Sequence, residues 1–196
     1  MVRGSNAWEK AKVGATIENL VSLINEATGQ ASLRHNHIVS IHDVTIDGWL
    51  VMELANRGSQ TVCGERSLAW CHKVELLLQA ATGVNHMHSQ VPPLIYCDLK
   101  PKNILVFNSG LQGFCVEVND VGQTFHVTKS KSKTIRKRRG TLQYIAPESY
   151  HGKFLTPESD VFSFGAAMYQ VVSGLQPYEQ NMDAFRNAPL CRGNVR

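Results

Sequence analysis

The run Ile95-Tyr96-Cys97-Asp98-Leu99-Lys100-Pro101-Lys102-Asn103-Ile104-Leu105-Val106 constrains this chain more than any other stretch. It puts an acid, a lysine and a carboxamide on one short loop that feeds straight into an apolar strand. Asp98 can accept a proton from an attacking hydroxyl. Lys100 can neutralise charge on a transferring phosphoryl group, and Asn103 can offer an oxygen to a magnesium ion. Phosphoryl transfer needs that set of parts, because its catalysis is mostly positioning plus electrostatic stabilisation.

Three further segments follow in order: Asp120-Val121-Gly122, then Gly140-Thr141-Leu142-Gln143-Tyr144-Ile145-Ala146-Pro147-Glu148, then Asp160-Val161-Phe162-Ser163-Phe164-Gly165. With the first loop they resemble four motifs of eukaryotic protein kinases. These are the catalytic loop H-R-D-L-K-x-x-N, the D-F-G, the G-T-x-x-Y-x-A-P-E that closes the activation segment, and the D-x-W-S-x-G opening the large central helix. Upstream, Arg34-His35-Asn36-His37-Ile38-Val39 resembles the R-H-x-N-I-V between the regulatory helix and the fourth strand. Trp49 to Ser59 resembles the fifth strand and hinge. By this resemblance, which runs over about residues 17–180, the chain is identified as a member of the family, closest to its tyrosine-kinase-like serine/threonine group.

The resemblance implies an α+β, two-lobed protein-kinase-like fold that uses ATP and Mg2+ on a protein substrate. Asp98, Lys100 and Asn103 would be catalytic, with Asn103 and Asp120 on the metal. Glu26 stands where the family carries its ion-pairing Glu. Met52 would be the gatekeeper, the backbone of Glu53 and Ala55 would meet adenine, and Leu105 would floor the pocket. Lys100 favours serine and threonine acceptors. The implied layout is a poorly defined 1–16, a partial kinase domain over 17–180 (small lobe 17–56, large lobe 57–180) and a polar tail over 181–196.

The chain departs from the family in several places. Cys97 replaces the Arg that clasps an activation-loop phosphate, so changes at Thr134 and Thr141 are expected to matter little. Val121 and Gln30 weaken the apolar stack between lobes, through the positions matching Gln30, Ile41, Tyr96 and Val121. No G-x-G-x-x-G precedes Glu26, and the position at the usual lysine separation is Ala11, flanked by Lys10 and Lys12. Trp8-Glu9-Lys10-Ala11-Lys12 does not read as a buried strand. No Arg partner for Glu148 can be placed. With 196 residues against the family's roughly 250, a truncated small lobe and an incomplete helical large lobe are expected. A partner protein that completes or regulates the domain fits that expectation. Two functional classes follow: an ATP- and magnesium-dependent serine/threonine kinase, or a pseudokinase-like binding or scaffold module.

Periodicity supplies the elements. Apolar residues at helical spacing predict helices over 17–33, from Ser67 through Met87, and over Asp160–Ser173, the last apolar nearly all round as a buried helix should be. Val39–Val44 and Trp49–Leu54 read as strands around Asp47-Gly48, and Ile104–Phe107 and Phe114–Val118 as strands around Asn108-Ser109-Gly110.

Composition excludes other classes. No apolar run reaches the roughly 18 residues that span a bilayer, and no signal-peptide core follows Met1, so no membrane role is expected. The five cysteines are scattered without a C-x-x-C pair, against a zinc site or disulfide framework and suited to a reducing, cytoplasmic setting. The basic run Lys129–Arg139 reads three ways: activation loop, acidic-substrate steering, or a nuclear-import or nucleic-acid patch. No aromatic stacking platform accompanies it, which disfavours nucleic acid. His35, His37 and His42 have no Cys or carboxylate at ligand spacing and read as helix-to-strand packing.

Overall fold

The computed structural model describes residues 7–10, 24, 27–28, 32–45, 50–59, 62, 68–109, 113–119, 125–126, 140–150 and 155–179. Strands β1 (Ala7–Lys10), β2 (Ile41–Val44) and β3 (Leu50–Glu53) form an antiparallel sheet in the order β1-β3-β2. Trp8 pairs with Met52 and Lys10 with Leu50, while β2 meets β3 with a register shift between Ile41 and Asp43. The sequence reading gave Trp8–Lys12 no buried strand, and β1 pairs here as an outer strand of the sheet. Its three unlike residues Trp8, Glu9 and Lys10 show no alternation, and pairing to the edge of β3 overrides that weak local pattern.

Helix α1 (Trp70–His88) turns Leu76, Leu77, Ala80, Gly83, Val84 and Met87 inward. They pack with Leu94, Tyr96, Leu99, Ile104, Val106, Val116 and Val118 into the main core. Gly83 is required there, because a Cβ would lie 2.4 Å from the His37 carbonyl oxygen. After β4 (Leu94–Ile95) and a short 3-10 turn (Pro101–Asn103), β5 (Ile104–Ser109) and β6 (Gly113–Val118) make a hairpin that pairs Ile104 with Val118 and Leu105 with Glu117. β7 (Phe125–His126) pairs with β4.

Helices α2 (Pro147–Tyr150) and α3 (Pro157–Ser173) follow. Pro157 opens α3 at its first turn, and Gly174 closes it in the left-handed region at φ 72°, its N–H on Gln170 O at 2.8 Å. The expectation of an evenly buried apolar helix is corrected. The buried residues of α3 are Ser159, Asp160, Ser163, Ala167, Gln170 and Val171, mostly polar, whereas Val161, Met168, Tyr169 and Val172 are exposed among the described residues. Hydropathy misled because the inward polar groups have partners: Asp160 and Gln170 hold Tyr96, Cys97 and Tyr144 in the loops, Ser159 meets α2, and Ser163 bonds within α3.

Candidate functional site

Asp98 sits on the loop between β4 and the Pro101–Asn103 turn, 11% exposed at its side chain. Both carboxylate oxygens are engaged. The Thr141 hydroxyl donates to Oδ1 at 2.8 Å, and the Lys100 ammonium donates to Oδ2 at 2.5 Å and to Thr141 Oγ1 at 2.8 Å. Asn103 gives its amide N–H to the Asp98 carbonyl at 2.9 Å and to Oδ2 at 3.4 Å. Its carboxamide oxygen is then the atom left for another ligand. Asp98, Lys100 and Asn103 therefore come together, held by a residue 43 positions away. Gly140 permits that closure: at φ 96° it lies so near the loop that a Cβ would be 2.5 Å from Cys97 O.

The loop's backbone is held from α3. Asp160, 1% exposed, accepts the N–H of Tyr96 at 2.7 Å on Oδ2 and that of Cys97 at 2.9 Å on Oδ1, with His88 Nε2 at 2.8 Å from Oδ2. Cys97 adopts φ 74°, a left-handed conformation costly to a side-chain-bearing residue and sustained here by that carboxylate. The Tyr96 hydroxyl donates to Asn119 O, and Asn119 N–H donates to Asn103 O at 2.8 Å. The loop and Asn119, just after β6, are thereby tied together. Asn119 Oδ1 is buried and makes no hydrogen bond among the described residues.

On the opposite side Met52, 6% exposed, packs with Ala27, Val39 and Phe107, joined by Ala55 and Leu105. This places the hinge residue Ala55 and the β5 residue Leu105 on one apolar cluster, while the Glu53 side chain is exposed. Past the hinge, Gly58 and Val106 exchange backbone contacts, with Val106 N on Gly58 O at 3.1 Å. Glu26, Asp120, Gln30, Val121 and the basic run lie outside the described residues. Glu26's neighbour Ala27 is buried against Met52.

Sequence reasoning gave no role to Asp160, His88 or Asn119, and it considered Thr141 only as an activation-loop site whose phosphorylation should matter little. The Thr141 hydroxyl bridges Asp98 and Lys100, a contact that gives it a structural role apart from phosphorylation. Local sequence carries no signal for these partners beyond the motifs in which Asp160 and Thr141 stand. Glu148 likewise takes a hydroxyl partner: Ser159 Oγ donates to it at 3.2 Å and receives the Ser149 hydroxyl at 3.0 Å. Glu117 is a further unpredicted group. Burial first, and the Glu53 carboxylate second, push its carboxyl up to about 8.

The sequence matches the family model described as a protein kinase domain over residues 8–192. It is 33% identical over 170 residues to the ankyrin repeat and protein kinase domain-containing protein 1 of Mus musculus, covering 83% of this chain and 22% of that protein. A probable serine/threonine-protein kinase of Dictyostelium discoideum is 34% identical over 152 residues, covering 74% of this chain and 14% of that protein. The probable serine/threonine-protein kinase PBL25 of Arabidopsis thaliana is 32% identical over 185 residues, covering 84% of this chain and 46% of that protein. The chain thus spans less than half the length of each of these relatives.

Proposed function

The chain belongs to the protein kinase family, and on that footing we propose that it transfers the γ-phosphoryl group of ATP to serine or threonine hydroxyls of proteins. The observation that carries this is the closed set of contacts around Asp98, with Lys100 and Thr141 on its carboxylate and Asn103 against it. An acceptor hydroxyl needs a carboxylate held in a fixed direction, and Asp98 is held at both oxygens. A binding module has no use for that arrangement. Lys100, already between Asp98 and Thr141, would turn to the transferring group and offset its charge. The serine/threonine assignment rests on Lys100 and on the names of the relatives.

Protein kinase domains use ATP and a divalent cation. The residues here fit that pair. The Asn103 carboxamide oxygen and the Asp120 carboxylate are hard oxygen ligands of the kind Mg2+ takes, and the buried, unengaged Asn119 Oδ1 precedes Asp120 directly. Bound there, the metal would neutralise phosphate charge. Met52, Ala55 and Leu105 would form the apolar wall for the base, and Lys10, last residue of β1 and paired with Leu50 of β3, is a candidate for the upstream lysine. Among the described residues no helix is long and apolar enough to cross a membrane. A cytoplasmic setting, with a nuclear alternative from Lys129–Arg139, is part of the same proposal.

The test is transfer of label from γ-labelled ATP with Mg2+ to a serine/threonine acceptor protein. Wild type should label the acceptor on Ser or Thr, and Asp98→Asn should lower the rate by about 10²–10⁴-fold. A folded wild-type chain that binds nucleotide yet transfers nothing would overturn the proposal in favour of a binding module.

A further inference from the structure

His35 and His37, on the segment before β2, meet His86 of α1 in a cluster that the phosphoryl-transfer reading does not use. The His35 ring stacks on His86 with centroids 4.6 Å apart and 20° between planes, and lies 5.5 Å from the His37 ring. His37 N–H donates to His35 Nδ1 at 3.2 Å. An acceptor nitrogen carries no proton, so this bond exists only when the His35 imidazole is neutral with its hydrogen on Nε2. The His37 Nδ1 stands 2.8 Å from Val116 O, a carbonyl that can only accept, so Nδ1 there is the donor. His37 O receives the Val118 N–H at 2.9 Å and presses on Gly83 of α1.

We infer that His35, His37 and His86 form an acid-sensitive joint between α1 and β6, closed while His35 is neutral and loosened when it takes up a proton. A proton on Nδ1 removes the acceptor for His37 N–H and sets a cation against the stacked His86 ring and the tilted His37 ring. Burial first, then His86 and His37, already hold the His35 proton affinity below the ordinary imidazole value of 6.5.

Among the described residues the groups around the cluster do not offset that charge. Arg34, His42, Cys115 and Glu117 line the same cavity of about 690 Å3 as His35. Arg34 is a cation, and Cys115 Sγ stands 3.9 Å from His37 Nδ1 with its thiol pushed up by burial. Glu117 keeps its proton up to about 8 and is neutral throughout the window in which an imidazole titrates. On His86 the neighbour is the uncharged Gln90 amide, at 3.3 Å from Nε2. Because the folded state binds this proton less readily than the unfolded chain, stability is full above about 6.5 and is lost as pH falls below it.

The experiment is a histidine-ring and backbone-amide NMR titration of the whole chain without nucleotide, so its result does not depend on the proposed transfer activity. Melts of His35→Asn and His42→Asn run beside it. An Asn at 35 keeps an oxygen acceptor for the amide two residues on and removes the titrating ring. Expected are a His35 midpoint below 6.5, a His37 amide shift with the same midpoint, and a melting temperature whose fall between about pH 7 and about pH 5.5 is at least halved in His35→Asn. His42→Asn should retain the full fall. A His35 midpoint at or above 6.5, a His37 amide that does not follow it, or equal flattening by His42→Asn would overturn the inference.

Discussion

Two acids of this chain, one buried and one half-buried, solve the same problem in opposite ways. Asp160, 1% exposed, draws two backbone N–H groups and an imidazole onto its carboxylate. Glu117, next to the last residue of β6, meets no such convergence of donors among the described residues, and burial first, with the Glu53 charge second, pushes its carboxyl up to about 8. A buried carboxylate stabilises a fold where donors are aimed at it, and otherwise the charge is given up. The difference marks function. Asp160 fixes the loop that carries Asp98, while Glu117 sits on the β5–β6 hairpin opposite Leu105 and gives up its charge.

The largest expected effect breaks the first side of that comparison. Asp160→Ala leaves the Tyr96 and Cys97 N–H groups and His88 without their acceptor and should cost about 3–5 kcal/mol of stability. A calorimetric melt reads this, and a loss under about 1 kcal/mol would mean that water or another group replaces the carboxylate. Next comes the tie across the activation segment. Thr141→Ala removes a hydroxyl bonded to both Asp98 and Lys100 and should lower kcat by about 10–100-fold, whereas Thr141→Ser should stay near wild type. Equal losses in both variants would assign Thr141 to packing rather than to its hydroxyl.

The smallest effect lies with Glu117. Its folded-state proton affinity is raised, so its contribution to stability is fully present below the unfolded value of 4.5 and is lost as pH rises through about 8. Glu117→Gln should therefore melt a few degrees above wild type at about pH 8 and close to it at about pH 5. A variant less stable than wild type at both values would show that the acid has a donor partner after all.

What was legible in the sequence was what one short segment can encode. Asp98, Lys100 and Asn103 sit within one loop, and Pro101 between them forces the 3-10 turn that places Asn103. The β5–β6 hairpin and α1 followed from apolar period and turn chemistry. Long-range partners were not legible. Asp160 and Thr141 reach Asp98's loop across 62 and 43 positions respectively (160 − 98; 141 − 98). Nor was β1, since Trp8, Glu9 and Lys10 carry no strand pattern and gain it only from the free edge of β3. The polar inner face of α3 was hidden because hydropathy weighs side chains without their hydrogen-bond partners.

The central claim is that this polar loop is a working nucleotide site. A thermal melt of the purified chain with and without ATP and Mg2+, beside Asn103→Ala and Asp120→Ala, tests it most directly. Ligand at about 100 times its dissociation constant should stabilise the folded chain by roughly 2.7 kcal/mol, with the upward shift lost in both variants. A cooperative transition that does not move with nucleotide would contradict it.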